Sequence, residues 1–497
     1  MTDTISVQYI DECTAEVSCD NRGVARELSQ FFTFEVPGAK FMPAFKSGMW
    51  DGNYVLYNVN TRRLYRGLIP YVAKFCKDRG YHFVDDNFIG NDNISKHEVN
   101  EFIKTLDLPF DVRDYQIDAV VDALRHRRRV ITSPTGSGKS LIAYLIAAWY
   151  NEKLSSKKAT LIIVPTTGLI HQLENDFSEY RSKIPAQKIY AGQDKAISDP
   201  IVISTWQSIY KMPQKWFDQF DVVIGDECHL FKAKSLMSIM EKLSDCRYRF
   251  GMTGSLDGTK VHSLVLEGLF GRINAVTTTK QLIDQKHLSS LSIKIIVLNH
   301  SPSTKKQLND LRTIRKMKHA ELYNKELEMI IGNTSRNNFI TNLALSLEGN
   351  TLILFSRVAT HGDILHDMIS SKAKCPVHFI HGGVGGEVRD AVRTDIDKSD
   401  HSISVCSFGT FSTGVNIRRL NNLILASPTK SKVRVLQSIG RTLRRTEDKT
   451  SAVLFDIADD ITYNGRKNAT LEHVFERVSY YDQQQFPYKT YKVKLNG

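Results

Sequence analysis

Short runs rich in β-branched residues recur along the chain, each followed by polar turn formers and then by apolar positions at helical spacing. Between residues 159 and 250 the runs are ATLIIVP, PIVIST and DVVIGDE. A second series begins after about residue 290 with SIKIIVL, NTLILFS, HFIHGG, ISVCSF, NLILAS and SAVLFD, several of them separated by helix-length segments such as 361–371. Continuous apolar strands alternating with helices predict two blocks of α/β structure built on parallel sheets.

Residues 1–108 have a different rhythm. ISVQYID, a helix near 24–32, a hairpin YVLYNVNTRRLYRG, a helix over 71–79 stopped by Gly80, and YHFVDD predict a small α+β module. GNDNISKHEVN, residues 90–100, is turn-forming and lacks a core-sized run, so it is the expected hinge. Residues 301–335 predict a long charged helical insertion, either a solvated helix or a nucleic-acid contact. The expected division is 1–108, 109–285 and 286–497.

Composition narrows the class. With 41% hydrophobic and 24% charged residues over 497 positions, the chain is a soluble, folded protein of about three domains. Sixty-six Lys and Arg against 54 Asp and Glu leave a net charge of +12, which implies a polyanionic partner or a solubilising surface. Seven scattered cysteines fit neither a zinc site nor a disulfide scaffold and point to a reducing, cytoplasmic compartment. MTDTISVQYIDE has no signal-peptide character, and the apolar stretch 141–150 is too short to span a bilayer, so no membrane partner is expected.

SPTGSGKS (133–140) lies directly after Val130 and Ile131 and directly before LIAYLIAAWY, a strand–loop–helix context. Gly136 and Gly138 permit turns that a Cβ would block, and the backbone N–H groups of Thr135, Gly136, Ser137 and Gly138 converge with a helix N-terminus on phosphate. Lys139 reaches the β- and γ-phosphates, and Ser140 offers a hydroxyl to Mg²⁺. Ser133 stands where the strict pattern has Gly. DVVIGDECHL ends a β-branched run with Asp226, a candidate Mg²⁺ carboxylate, and Glu227, a candidate acceptor for the proton of an attacking water. The pair predicts a Mg²⁺-dependent nucleoside triphosphatase using ATP.

The ordered motifs between about 110 and 445 resemble the superfamily 2 helicases and translocases of the DExH type, and within them the recombination helicases of T-even phages. DYQIDAV, with Gln116, looks like the motif that reads adenine. VPTTGLIHQ and ISTWQS, with Thr166 and Thr205, resemble the first lobe's nucleic-acid contacts, DECH the acidic box, and TGS (253–255) the motif linking hydrolysis to movement. ILFSRVATHGDIL with Ser356, FGTFSTGVNI with Thr410 and QSIGRTLRR resemble the fourth, fifth and sixth motifs; Asn416 stands where the fifth often has Asp, and Gln437 opens the sixth as in DExH members. The resemblance implies two RecA-like lobes behind the N-terminal module, with Arg441 and Arg444 facing the γ-phosphate.

It also implies ATP-driven remodelling of forks, Holliday junctions, D-loops and R-loop RNA–DNA hybrids in recombination, replication and repair. The expected setting is the host cytoplasm, with a monomeric motor, DNA as its partner, and single-strand-binding or recombination proteins as possible companions. An RNA helicase, or the motor subunit of a nuclease, is the alternative; no nuclease constellation is visible and only about fifty residues follow the last motif. Within the module, aromatic and basic residues interleave over 31–79, and Trp50 and Tyr57 fit either a small core or a stacking surface. Arg62 and Arg63, at the expected hairpin tip, are the stronger candidates for DNA phosphate. The cluster Arg125, Arg127, Arg128 and Arg129 is expected to solvate a helix end.

Overall fold

A computed structural model describes residues 3–86, 91–154, 156, 158–412, 417, 419–446 and 449–495. The chain forms two compact units, residues 1–133 with 138–277, and 134–137 with 278–497.

The first unit begins with the α+β module. Its four-stranded sheet runs in the order Arg63–Tyr65, Thr14–Cys19, Thr4–Tyr9, His82–Val84, with the first two junctions antiparallel and the last parallel. Alternate residues Ile5, Val7, Ala15 and Val17 are buried, as strand pleating requires when one face packs on a core. The helix Arg22–Phe31 starts at Asn21, whose side chain accepts from the Gly23 N–H. The helix Ile69–Arg79 stops at Gly80, which takes the left-handed conformation with φ 73°.

The expected hairpin over 54–67 does not form. Asn53–Val55 pairs with Thr33–Glu35 in a separate two-stranded ribbon, while Arg63–Tyr65 joins the four-stranded sheet. Between them Tyr57 is fully buried and its hydroxyl donates to the Val17 carbonyl at 2.8 Å, which draws the chain into the core instead of across a turn.

The module shares its core with the first parallel sheet: Ile5, Val7, Leu64 and Leu68 pack in one cluster with Phe220, Phe231 and Phe270. Glu12 accepts from Arg66 at 2.6 Å and from Arg128 at 2.5 Å, and Tyr71 donates to Glu267 at 2.7 Å. The basic cluster is therefore mostly structural, correcting its reading as a solvated helix end. Arg127 pairs with Asp92 and Arg129 with Asp122. The described part of the expected hinge is likewise tied down. Asp92 N–H donates to the Arg125 carbonyl, Arg125 Nε to the Ile94 carbonyl, and Val99 and Phe102 are buried on the helix Lys96–Thr105.

The sheet of this unit has seven parallel strands in the order Ile273–Ala275, Arg128–Thr132, Tyr248–Thr253, Phe220–Asp226, Ala159–Val164, Ile201–Thr205, Ala186–Ile189. The second unit has another seven, ordered Val377–Ile380, Ile403–Ser407, Thr351–Phe355, Asn422–Leu425, Ser451–Asp460, Ser290–Asn299, Tyr488–Lys494, again parallel. These are two RecA-like lobes.

The expected single helix over 301–335 is two, Pro302–Thr313 and His319–Ile331. They bury Leu308, Ile330 and Ile331 against Ile461. Buried Glu326 accepts from Ala469 N–H at 3.0 Å, Thr470 N–H at 2.7 Å, the Thr470 hydroxyl at 2.6 Å and Asn468 Nδ2 at 2.9 Å. Its carboxylate caps the helix Ala469–Gln483, where the exposed N–H groups favour negative charge.

Candidate active site and nucleic-acid interface

The phosphate loop leaves the strand Arg128–Thr132 at its carboxyl end and enters the helix Lys139–Lys153 at once. Ser133 is 1% exposed and its N–H donates to the Thr253 carbonyl at 3.0 Å, so the position demands a small residue and tolerates Ser in place of Gly. Gly136 and Gly138 have φ of 84° and 83°, the left-handed region expected of them. At Gly138 space is a second constraint, because an added Cβ would lie 2.3 Å from Gln116 Nε2. Gln116 is buried on the helix Asp114–His126, and its Oε1 accepts from the Arg113 N–H at 3.0 Å. The structure thus seats the glutamine against the loop. Lys139 Nζ donates to the Ser133 carbonyl at 3.0 Å, at the mouth of the same loop.

Asp226 ends the strand Phe220–Asp226, whose neighbours are Tyr248–Thr253 on one side and Ala159–Val164 on the other. The chain turns sharply after it: Glu227 has φ 48°, a conformation costly for a residue with a side chain. Its N–H donates to Asp226 Oδ1 at 2.9 Å. Burial, and then the adjacent Glu227 charge, push the Asp226 carboxyl up to about 6, with Lys139 working against them. Two carboxylates held side by side beneath a lysine suit a divalent cation, and the Ser140 hydroxyl on the first helical turn supplies the kind of second oxygen donor magnesium takes.

Glu227 is joined to the next strand by contacts that motif order alone does not give. His229 Nδ1 lies 3.2 Å from Glu227 Oε2 and 3.0 Å from Thr253 Oγ1, and Thr253 Oγ1 donates to the Ser255 carbonyl at 3.1 Å. The acidic box and the TGS segment are one hydrogen-bonded cluster.

The candidate nucleic-acid residues of this unit sit farther along the same sheet edge. Thr166 precedes the helix Thr167–Glu179 and Thr205 ends the adjacent strand, where it pairs in register with Val164. The Thr205 hydroxyl is 2.8 Å from that of Ser208, and Gln207 Nε2 donates to the Pro165 carbonyl at 3.2 Å, binding the two segments together. Carboxyl ends of neighbouring strands therefore present phosphate-loop and acidic residues on one stretch and these threonines on the next.

In the second unit Ser356 and Thr410 follow the adjacent strands Thr351–Phe355 and Ile403–Ser407. Ser356 is exposed, and its N–H donates to Ser427 Oγ; Thr410 is buried, its hydroxyl 2.8 Å from Ser407 Oγ. Arg441 lies on the helix Lys432–Thr442 with its guanidinium 5.4 Å from the Phe411 ring centre. Arg444 follows the helix end. Asn416, with Gly414 and Val415, lies outside the described residues.

Lys449 escapes sequence reading because RTEDKT looks like an exposed turn. Its Nζ donates to the carbonyls of Thr442 and Arg444, the latter at 2.9 Å, and burial beside Arg444 pulls its ammonium down to about 7. In the module, Arg62 and Arg63 are exposed as expected although the hairpin is absent; Arg62 is 3.7 Å from Glu16. Tyr57 resolves to core, and half-buried Trp50 donates from Nε1 to the Asn53 carbonyl.

Three family models match: the N-terminal domain of the DNA helicase UvsW over 4–86, the res subunit of type III restriction enzymes over 109–257, and the helicase conserved C-terminal domain over 335–446. The chain is 34% identical to the ATP-dependent DNA helicase uvsW of Enterobacteria phage T4, over 99% of this chain and 100% of the relative. The crystal structure of T4 UvsW superposes with a TM-score of 0.51 at 33% identity, covering 99% of this chain and all of that one. A second UvsW helicase structure from the same phage covers 55% of this chain and 99% of its own, with 36% identity and a TM-score of 0.50. Among the described residues no helix is long and apolar enough to cross a membrane.

Proposed function

The chain belongs to the UvsW family of ATP-dependent DNA helicases, and from that premise we propose that it remodels branched DNA and unwinds R-loop hybrids during recombination-dependent replication and repair. The observation that carries this finer reading is the N-terminal module: it matches the UvsW-specific family over 4–86 and is built into the first lobe through a common core. A module carried rigidly on the motor can hold one arm of a branch while the lobes move another.

In this reading the backbone around Gly136 and Gly138 and the helix beginning at Lys139 cradle the phosphates, and Lys139 meets the β- and γ-phosphates. Ser140 and Asp226 would hold magnesium, which would supply charge neutralisation to the phosphates. Glu227 accepts the proton of the attacking water as its oxygen bonds to the γ-phosphorus and the bond to the β–γ bridging oxygen breaks. Arg441 and Arg444 stabilise charge on the transferring phosphoryl group. His229 and Thr253 carry the state of Glu227 to Ser255, so that occupancy of the catalytic carboxylate alters the segment assigned to coupling. Thr166, Thr205, Ser356 and Thr410 are assigned to the nucleic-acid backbone, which supplies affinity for many sequences.

The test is steady-state ATP turnover of the wild type and of Lys139→Ala with matched single strands, duplex, fork, four-way junction, R-loop and RNA. Stimulation is expected to be strongest with forks, junctions and R-loops, and turnover in Lys139→Ala to fall at least 100-fold, a loss of about 2.7 kcal/mol of transition-state stabilisation. Stimulation by RNA alone would reassign the protein to RNA remodelling.

A further inference from the structure

A cavity of about 500 Å³ lies where the N-terminal module meets the first sheet, within the first unit. It is remote from the phosphate loop in the fold. Arg127, Arg128 and Arg129 stand at the start of the strand Arg128–Thr132, Arg247 just before Tyr248–Thr253, and Arg272 just before Ile273–Ala275. These three strands are neighbours and parallel, so their arginines gather at the amino edge of the sheet, whereas the phosphate loop leaves the carboxyl edge. Arg66 of the module completes the cationic wall, and Ile69, Pro70 and Phe83 form an apolar one.

The cations outnumber their partners. Glu12 is shared by Arg66 and Arg128, Asp92 takes Arg127, and Asp122 takes Arg129. Asp85 in the wall accepts the Tyr9 hydroxyl at 2.8 Å. Glu267, which holds Tyr71, lies within electrostatic reach of Arg272 and Arg129, as Asp92 does of Arg247. Six guanidiniums are thus set against five carboxylates, and among the described residues Arg247 and Arg272 have no carboxylate at ion-pair distance. Arg128 is mostly buried, and its Nη1 has no hydrogen-bond partner among the described residues. Burial, and then the nearby Arg249 and Arg66 charges, pull its guanidinium down to about 10, with Glu12 working against them.

An under-compensated guanidinium cluster favours an anion that accepts several N–H bonds at once and carries close to two charges, which describes a phosphate monoester. The volume exceeds that of a phosphate and falls in the range of small-molecule sites, and the apolar wall offers a surface to a sugar or base. We infer that this cavity binds the phosphomonoester of a nucleotide, either free or as the phosphorylated terminus of a nucleic-acid strand. Such a site would let the motor respond to nucleotide supply or to a broken end independently of its ATP site.

The test uses the full chain with the phosphate loop filled by a non-hydrolysable ATP analogue. The probes are thymidine 5′-monophosphate, which lacks the phosphates that Lys139 recognises, and a 12-nucleotide single strand with a 5′-phosphate, a 3′-phosphate or neither. Binding of the monophosphate, or at least tenfold preference for a phosphorylated strand, is expected, with its loss in the double variant Arg247→Glu, Arg272→Glu. Basal ATP turnover should be unchanged in that variant, which also shows that it folds. Binding of the free monophosphate assigns the site to free nucleotide; preference confined to one phosphorylated terminus assigns it to strand ends. Absence of both, or persistence of either in the double variant, overturns the inference.

Discussion

Asp226 and Glu227 show how much one peptide bond can decide. Adjacent carboxylates at a strand end are ordinarily solvated, but here the strand is flanked on both sides and Glu227 turns at φ 48°, so both groups face the same end of the sheet. Because burial and Glu227 raise the Asp226 carboxyl to about 6, the folded chain binds a proton there that the unfolded chain releases above about 4. The sign follows: this group adds stability to the nucleotide-free protein as pH falls through 6, and over the same range it loses the charge that its proposed contact with magnesium requires. Affinity for a Mg²⁺-bound ATP analogue should therefore fall by about tenfold more in wild type than in Asp226→Asn between pH 7 and pH 5. Fluorescence titration at the two pH values measures it, and parallel losses in the two proteins would exclude Asp226 as the titrating ligand. The choice of Ser at 133 and the need for Gly at 138 are equally local, the first set by a 1% exposed site and the second by the amide of Gln116.

Between neighbouring elements, tertiary packing overrides local signals. The 54–67 segment reads as a hairpin because two β-prone runs flank NVNTRR, yet the buried Tyr57 divides it between two sheets. The insertion over 301–335 reads as solvated because most of its surface is charged, while its few apolar positions and Glu326 fasten it to the second lobe. Glu326→Ala would strip a carboxylate acceptor from four backbone and side-chain donors at the start of Ala469–Gln483 and open a buried polar gap. It should lower the unfolding free energy by about 3 kcal/mol, with Glu326→Gln retaining part of that. Thermal and urea unfolding followed by circular dichroism would measure the loss, and a change below about 0.5 kcal/mol would show that solvent replaces the cap.

For the whole molecule the question is how a motor with sequence-tolerant backbone contacts acquires a preferred substrate. In the proposed reading the module sets that preference, and its exposed basic residues Arg62 and Arg63 lie outside the shared core that claims Tyr57 and Leu64. Arg62→Glu with Arg63→Glu should weaken binding to forked DNA and reduce the slope of log affinity against log salt by about two, while basal ATP turnover is retained. Fluorescence anisotropy between 50 and 200 mM salt is the direct readout. An unaltered slope would place the DNA contact elsewhere on the module.

The candidate hydrolysis site is legible in the chain because it is built from short-range features: glycines at fixed spacing, a lysine opening a helix, and carboxylates closing an apolar strand. The alternation of strand and helix likewise predicts two parallel sheets, since period and burial are local properties of each run. What tertiary structure alone decided involves partners far apart in sequence. Glu12 meets Arg128 across 116 positions, Glu326 caps a helix that begins more than 140 positions later, and five arginines at the starts of three separate strands, joined by Arg66, line one cavity. Charge and burial of this kind are set by which surfaces the folded chain closes together, and no window of sequence contains both sides.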